Sequence, residues 1–188
     1  ETENEKLNTE LSFLKSQINP HFFFNTLNNI YSLAIVKSEQ TAPAVMKLSS
    51  IMRYILSETE KDFVPLSNEI DFTKNYIELQ QMRLTDKVTV VFNTSGISED
   101  LQIAPLLFIP FVENAFKHGV MPIAGKAWIN FTVEDRERSL YISISNSASG
   151  AKPGNGIGLE NLRSQLHYLY QDEYQLNVEN TKANEFSV

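Results

Sequence analysis

Residues 110–119 read Pro-Phe-Val-Glu-Asn-Ala-Phe-Lys-His-Gly, and this stretch decides how the second part of the chain is arranged. Its apolar members, Val112, Ala115 and Phe116, have the spacing of the buried face of a helix. Its polar members are close enough in the helix to point into one site: Glu113, Asn114, Lys117 and His118. An ordinary solvated helix face is also polar. However, the apolar residues already supply the buried side, so the clustering of the rest favours a functional site.

The segments around this helix predict a sheet. Alternating apolar and polar side chains, typical of half-buried strands, occur at residues 88–92, 127–134, 139–146 and 174–178. Helical spacing occurs at residues 67–83, 104–118 and 159–170. Ser67 is expected to cap the first of these helices. We therefore expect an α+β fold with a mixed, largely antiparallel sheet in this part of the chain.

The first third of the chain is predicted to form a helical hairpin. Apolar residues recur every three or four positions in its first helix, at Leu7, Leu11, Leu14 and Ile18, which is a coiled-coil seam. A second helix is predicted over residues 43–58, after a short polar link that favours an antiparallel pair. Two hairpins can cover these apolar stripes as a four-helix bundle, so we expect a homodimer. The predicted modules are residues 1–65 and 66–188.

His21 lies where the seam turns polar, directly after Asn19-Pro20. A proline at this point either kinks a helix or opens a new one. A lone histidine on a helix is as often structural as it is reactive. The functional interpretation is a nucleophilic imidazole, because a neutral ring nitrogen is a competent nucleophile near pH 7. Asn25 lies one helical turn away on the same face and can orient the ring or a water molecule.

A third signal is the glycine-rich segment that precedes the last predicted helix. Gly154, Gly156 and Gly158 stand at alternate positions, and such a backbone can approach a phosphate at a helix N-terminus. A glycine-rich loop is more often simply flexible. The segment matches neither a Walker A loop nor a Rossmann fingerprint, because no Lys-Ser/Thr pair follows it and no βαβ unit surrounds it.

Composition excludes several classes of function. The chain has 16 Lys and Arg against 23 Asp and Glu, and the net charge of −7 argues against direct binding of nucleic acid. The absence of cysteine excludes disulfide scaffolds and thiolate zinc sites. The longest largely apolar stretch, residues 104–112, is far shorter than the ~20 residues of a membrane-spanning helix. The chain starts without Met in a helical pattern and ends like an opening strand, so we expect it to be part of a longer protein.

The order of the three signals resembles the sensor histidine kinases of two-component systems, and within them the LytS/YehU-type family. Residues 17–25, Gln-Ile-Asn-Pro-His-Phe-Phe-Phe-Asn, match the phosphoacceptor motif of that family. Residues 112–119 match the N box of GHKL-type ATPases, and residues 156–161 match the glycine box that follows the ATP lid. The resemblance extends over nearly the whole chain.

Two further segments are similar to the same family. Residues 48–54 resemble its second bundle helix, and the segment after Val64 resembles its connecting segment, through Leu66, Glu69, Tyr76 and Arg83. The resemblance implies a dimeric four-helix bundle followed by a GHKL-type α/β sandwich. It also implies that the chain is the cytoplasmic portion of a receptor in a bacterial inner membrane, with its sensor region preceding residue 1.

The resemblance implies an ATP-dependent protein histidine kinase. His21 would accept the γ-phosphoryl group of ATP and pass it to an aspartate of a response regulator of the LytTR type, with Asn25 and Glu113 as further catalytic candidates. Asn114 would hold Mg²⁺. The other residues implied in ATP binding are Lys117, His118, Gly119, Asn146, Gly154, Gly156, Gly158 and Leu159.

The chain departs from the family pattern at two positions. GHKL ATPases usually have Asp-x-Gly after the second strand, and the carboxylate accepts a hydrogen bond from adenine. Here residues 146–148 read Asn-Ser-Ala, so Asn146 would accept without charge and more weakly. Many histidine kinases have an acidic general base directly after the histidine, where this chain has Phe22. An alternative function is therefore a degenerate GHKL protein acting as a dimeric phosphotransfer or phosphatase scaffold. A third possibility is a helical interaction module without catalytic chemistry. It would require the polar residues around His21 and those around Glu113 to be accidental.

Overall fold

The computed structural model describes residues 20–84, 86–120, 125–136, 139–147, 157–171, 173–181 and 185–187. The chain divides into two compact units, Glu1–Glu60 and Lys61–Val188. Among the helices of the described ranges, none combines the length and the apolar character needed to span a bilayer.

The first unit contains two helices that contact each other, α1 (Pro20–Ile35) and α2 (Thr41–Glu58). A Schellman-type turn ends α1, because Lys37 takes a φ of 53° and the N–H of Ser38 donates to the carbonyl of Leu33. This turn leaves only a few residues before α2, as the predicted hairpin requires. The buried side chains of the two helices are Phe22, Thr26, Ala44, Leu48, Ile51 and Tyr54. The seam predicted for residues 7–18 lies outside the described residues.

The second unit combines a sheet with helices. Its elements are β1 (Val64–Pro65), α3 (Leu66–Gln81), β2 (Val88–Ser95), β3 (Gln102–Ile103), α4 (Ile109–Asn114), a π-helical turn (Ala115–Val120), β4 (Ala127–Arg136), β5 (Ser139–Ser147), α5 (Ile157–Tyr170), β6 (Glu179–Thr181) and β7 (Glu185–Ser187). The main sheet has the order β2-β4-β5-β7-β6, in which only β2 and β4 are parallel. The predicted α+β fold with a mixed, largely antiparallel sheet is confirmed.

The core of the second unit is built on one face of β4. Phe131 is fully buried and stacks on Phe92 of β2, with ring centroids 4.9 Å apart. The ring of Phe108 packs edge-on against the ring of Phe131, with centroids 5.5 Å apart. Because Phe108 directly precedes α4, this contact holds the start of α4 against the sheet. The π-helical turn that follows α4 contacts both β4 and β5.

The backbone before α4 is held by a buried carboxylate of α3. Glu69 is completely buried, and its two oxygens accept hydrogen bonds from the backbone N–H groups of Leu106 (3.0 Å) and Phe108 (3.2 Å). Leu106 has a φ of 63°, a left-handed conformation that is unfavourable for a residue with a Cβ. The carboxylate thus stabilises a turn that the leucine would not adopt by itself.

Two predicted helix starts are wrong. The helix predicted over residues 104–118 begins only at Ile109, because residues 104–108 form the turn that Glu69 holds. Pro110 then occupies the first helical turn, where its missing N–H costs nothing. Ser67 is not the N-cap of α3: that position belongs to Pro65, and no side chain caps this helix.

The strand predicted at residues 174–178 is also wrong. Side chains there do alternate between half-buried and exposed, as the pattern indicated, but the backbone joins no strand ladder. The end of β5 pairs instead with β7, through Ser145 and Ser187, and β7 pairs with β6. Alternation thus indicated the burial of this segment correctly but not its backbone pairing.

We predict that Glu69→Gln destabilises the second unit. A carboxamide offers one acceptor oxygen, so one of the two buried N–H groups would face an NH₂ group instead of an acceptor. The expected loss in the free energy of unfolding is about 1–3 kcal/mol, measured by urea denaturation. Glu99→Gln, at an exposed turn, is the matched control and should change little. Equal stability of the two variants would contradict the role of Glu69.

Candidate functional site

The polar cluster predicted from residues 110–119 lies on one continuous helical segment. From residue 111 to residue 120, buried pairs alternate with accessible pairs: Phe111 and Val112 are buried, Glu113 and Asn114 are half-buried, Ala115 and Phe116 are buried, and Lys117 and His118 are exposed. The burial pattern repeats every four residues. Four residues of an α-helix turn through about 400°, so each repeat would be displaced by about 40° around the helix axis. The change from α4 to a wider π-helical turn at Ala115 accommodates that period, and π-helical turns are frequent at functional sites.

Glu113 is the carboxylate of this cluster and has a defined partner. The hydroxyl of Tyr76, on α3, donates to Glu113 Oε1 at 3.0 Å. Burial raises the pKa of the Glu113 carboxyl, while the hydrogen bond from Tyr76 and the charge of Lys117 oppose that rise. Burial also raises the pKa of the Tyr76 hydroxyl well above its ordinary value, and the nearby Glu113 charge adds to this effect. Tyr76 is therefore a neutral donor at physiological pH.

The contact between Tyr76 and Glu113 joins residues that are 37 positions apart, and it was not predicted. Behind Tyr76, Gln80 Nε2 donates to the tyrosine oxygen at 3.1 Å, and Arg83 Nη1 donates to Gln80 Oε1 at 3.2 Å. The sequence did contain a signal for this chain of bonds. The three polar residues recur at spacings of four and three, which places them on one face of a helix, and Tyr76 and Gln80 lie among the buried residues of α3.

The far end of the π-helical turn packs on the end of β5. Gly119 lies directly against the side chain of Asn146, which is almost fully buried. The Asn146 amide donates to the carbonyl of Ser147 at 2.7 Å. The Ser147 hydroxyl donates to the carbonyl of Gly119 at 2.7 Å and accepts from the N–H of Trp128 at 3.1 Å. The structure thus brings Asn146 and Gly119 together, as one site requires, and Ser147 is a connecting residue that the sequence interpretation missed.

The glycine-rich segment is described only in part. Gly158 and Leu159 lie in the first turn of α5, which begins at Ile157, two residues before the predicted start. Gly154 and Gly156 lie outside the described residues.

His21 and Asn25 belong to the first unit and lie in the first turns of α1. His21 is exposed, and the Asn25 amide nitrogen lies 2.8 Å from its Nδ1 and 3.2 Å from its Nε2. Pro20 is the first described residue of α1. The predicted interaction between the imidazole and the Asn25 amide is present, and the ring is accessible to a reactant.

Comparison with known proteins relates the chain to histidine kinases. A family model described as histidine kinase matches residues 9–88. The chain is similar to the sensor protein LytS of Oceanobacillus iheyensis (30% identity, covering 89% of this chain and 32% of the relative). It is also similar to the sensor histidine kinase YpdA of Escherichia coli (32% identity, covering 86% and 30%). The chain thus spans about a third of the length of these relatives.

The fold is similar to that of a solved kinase domain. The histidine kinase domain of a blue-light activated histidine kinase from Erythrobacter litoralis matches 97% of this chain and 93% of its own, with a TM-score of 0.53. The sequence identity is only 13%, so this likeness supports the fold. It agrees with the expected order of helices followed by a mixed, largely antiparallel sheet.

We predict that Gly119→Ala is destabilising because of Asn146. A Cβ at residue 119 would lie 2.6–2.7 Å from Cγ and Cβ of Asn146, closer than atoms in folded proteins approach. The expected cost is about 1–3 kcal/mol in the free energy of unfolding, measured by thermal or urea denaturation. Gly125→Ala is the matched control, since nothing lies within 4 Å of a Cβ there. If the Gly119→Ala variant were as stable as Gly125→Ala, the close packing of Gly119 against Asn146 would be contradicted.

A second prediction follows from the raised pKa of Glu113. Above the ordinary glutamate pKa of about 4.3, the folded protein retains a proton that the unfolded chain has lost. The free energy of unfolding therefore falls as the pH rises through the interval between the two pKa values. Glu113→Gln removes this titration and keeps an acceptor for Tyr76, so its stability gain over wild type should be larger at pH 8 than at pH 5. A gain that is independent of pH would contradict it.

Proposed function

Because the chain belongs to the histidine kinase family and is of the LytS type, we propose that it catalyses ATP-dependent autophosphorylation of His21 and transfer of the phosphoryl group to an aspartate of a response regulator. The observation that supports this most strongly is the four-residue period of the segment after Phe111. It leaves Glu113, Asn114, Lys117 and His118 accessible on a segment that is otherwise buried.

The chemistry proposed for His21 uses its accessible imidazole. An unprotonated ring nitrogen attacks the γ-phosphorus of ATP, and the N–P bond forms as the bond to the bridging oxygen breaks. ADP leaves with that electron pair, and the ring loses its remaining N–H proton to a base. A carboxylate oxygen of the response regulator then attacks the phosphorus, the P–N bond breaks, and the ring takes up a proton to leave as neutral imidazole. The amide of Asn25, 2.8 Å from Nδ1, limits the rotation of the ring and so favours one orientation for attack.

The proposed nucleotide site consists of the polar turn, by which we mean Glu113, Asn114, Lys117 and His118, together with the start of α5. The Asn114 carboxamide oxygen is the ligand proposed for Mg²⁺, and Lys117 and His118 are proposed to bind phosphate oxygens. Within the described ranges, no three His, Asp or Glu side chains cluster to form a metal cage. A single amide ligand suits Mg²⁺, which usually keeps waters and binds substrate phosphates. Mg²⁺ bound there would neutralise charge that develops on the phosphates. Gly158, in the first turn of α5, is proposed to give phosphate access to backbone N–H groups, together with Gly154 and Gly156.

Asn146 is proposed to contact the adenine base. Its NH₂ group donates to Ser147, which orients the amide, so its oxygen is the atom that can accept from the adenine amino group. An uncharged acceptor forms a weaker bond than a carboxylate does, and we therefore expect modest ATP affinity. Gly119 is proposed to allow this arrangement, since any side chain there would displace Asn146.

A homodimer is proposed because the two helices of the first unit have apolar residues on their surface. The exposed ones are Phe24, Leu27, Tyr31, Ile35, Val45, Met46, Met52 and Leu56. A second hairpin would cover such faces in a four-helix bundle. The further proposals rest on the LytS-type resemblance: a response regulator of the LytTR type as partner, and a position on the cytoplasmic side of a bacterial inner membrane.

A second candidate function is favoured by one observation. Asn146, near the end of β5, is uncharged, and residues 146–148 contain neither the acidic residue nor the glycine of the usual motif. If ATP affinity is lost, the chain would act as a dimeric phosphotransfer or phosphatase scaffold, in which Asn25 orients a water molecule for hydrolysis of the phosphorylated regulator.

We predict that incubation with γ-labelled ATP and Mg²⁺ gives an acid-labile, base-stable phosphoprotein. His21→Ala should abolish the label because it removes the nucleophile. His167→Ala is the matched control, since His167 is also an exposed helical histidine and should keep full labelling.

The same experiment separates the two candidate functions. Label that persists in His21→Ala would show that another residue is phosphorylated. Absence of label in the wild type, together with no heat of ATP binding in calorimetry, would exclude the kinase. Continued dephosphorylation of a phosphorylated regulator under those conditions would support the scaffold.

A further inference from the structure

Three side chains of the second unit form a chain of hydrogen bonds that ends on the candidate catalytic carboxylate. We call Tyr76, Gln80 and Arg83 the α3 relay. Tyr76 and Gln80 lie on α3, and Arg83 lies in the turn after it. The relay runs from Arg83 through Gln80 and Tyr76 to Glu113, with donor–acceptor distances of 3.2, 3.1 and 3.0 Å.

The direction of every bond in the relay is determined by its two ends. A guanidinium group can only donate, so Gln80 must turn its oxygen to Arg83 and its NH₂ group to Tyr76. The tyrosine oxygen then accepts from Gln80, and its own proton is directed to Glu113. A carboxylate accepts without donating, so the series ends without conflict. Successive bonds that are aligned in this way strengthen one another.

Burial makes this arrangement specific. Tyr76 and Gln80 are 2% and 8% exposed, so neither can exchange its partner for solvent without moving α3. Buried polar groups are costly unless they are paired, and apolar side chains would fill the same space more simply. The relay instead ends on a half-buried carboxylate adjacent to Asn114, at the point where α4 gives way to the π-helical turn. That position suggests a role in orienting the polar turn.

We propose that Tyr76 is a positioning residue for phosphoryl transfer, acting through Glu113. Its hydroxyl fixes the Glu113 carboxylate, and the relay behind it fixes the hydroxyl. The orientation of Glu113 in turn limits the positions of Asn114 and Lys117 on the same segment. This inference rests on the proposed kinase function, because positioning is expressed in the rate of autophosphorylation.

The first test is Tyr76→Phe, which removes the hydroxyl and keeps the buried ring. Autophosphorylation should fall about tenfold or more in kcat, with the KM for ATP changed less than about twofold, because Asn114 and Lys117 keep their contacts with the nucleotide while its phosphates lose their alignment for attack. Tyr170→Phe is the matched control. The Tyr170 hydroxyl accepts from the backbone N–H of Ala104 at 3.0 Å, so this variant also loses one tyrosine hydrogen bond. Equal loss of kcat in both variants would overturn the proposal.

The second test asks whether Tyr76 acts through Glu113. In a Glu113→Ala background, adding Tyr76→Phe should change kcat less than about twofold, because the acceptor is already absent. Independent, multiplicative losses would overturn the inference. Arg83→Met breaks the relay at its exposed end and keeps both buried residues, so it remains informative if Tyr76→Phe does not fold. It should lower kcat in the same direction, and an unchanged kcat would count against the relay.

A third measurement does not depend on catalysis. Hydrogen exchange of the amides in residues 109–120 should be faster in Tyr76→Phe than in wild type, whereas Tyr170→Phe should leave these amides unchanged. If the wild type takes no phosphate from ATP, the kinase proposal fails, and this measurement still decides whether the relay holds the turn. If exchange and kcat are both unchanged in Tyr76→Phe, the positioning role is excluded while the kinase function stands.

Discussion

The arrangement of the second unit depends on the buried carboxylate of Glu69. A buried carboxyl group is tolerated in a protein interior only when it is well hydrogen-bonded, and here two backbone N–H groups, from Leu106 and Phe108, supply the bonds. The pair fixes a turn with a left-handed leucine, and the turn delivers Phe108 to the ring of Phe131 on the sheet. Tyr76 lies two helical turns further along α3 and binds the next segment at Glu113. One helix thus positions both the entry to α4 and its polar end.

Elements determined by nearby residues were predictable from the sequence. The alternating pattern predicted the ends of β4 and β5 to within two residues. The prediction succeeded because alternation of burial depends only on neighbouring residues of the same strand. The spacing of His21 and Asn25 placed them on one face of a helix, where their side chains meet. Four polar residues of the stretch 110–119 lie on one helical segment, as their spacing indicated: Glu113, Asn114, Lys117 and His118.

What could not be predicted depends on distant partners. The start of α4 is set by Glu69, which is 39 positions from Phe108, and no local pattern records that bond. The alternating segment at residues 174–178 has the burial pattern of a strand but is not part of one, because alternation of burial does not by itself determine backbone pairing. Tyr76 was visible as part of a family motif, but its role became apparent only when the fold brought it to Glu113.

The π-helical turn has a consequence for how this segment can change during evolution. Substitutions within it alter one contact at a time. A deletion of a single residue would rotate every following side chain by about 100° about the helix axis. Such a change would turn the charge of Lys117 towards the core and move Gly119 from Asn146, even if every remaining residue were kept. The segment can therefore vary in composition much more readily than in length, and a change in length would affect the site and the core together.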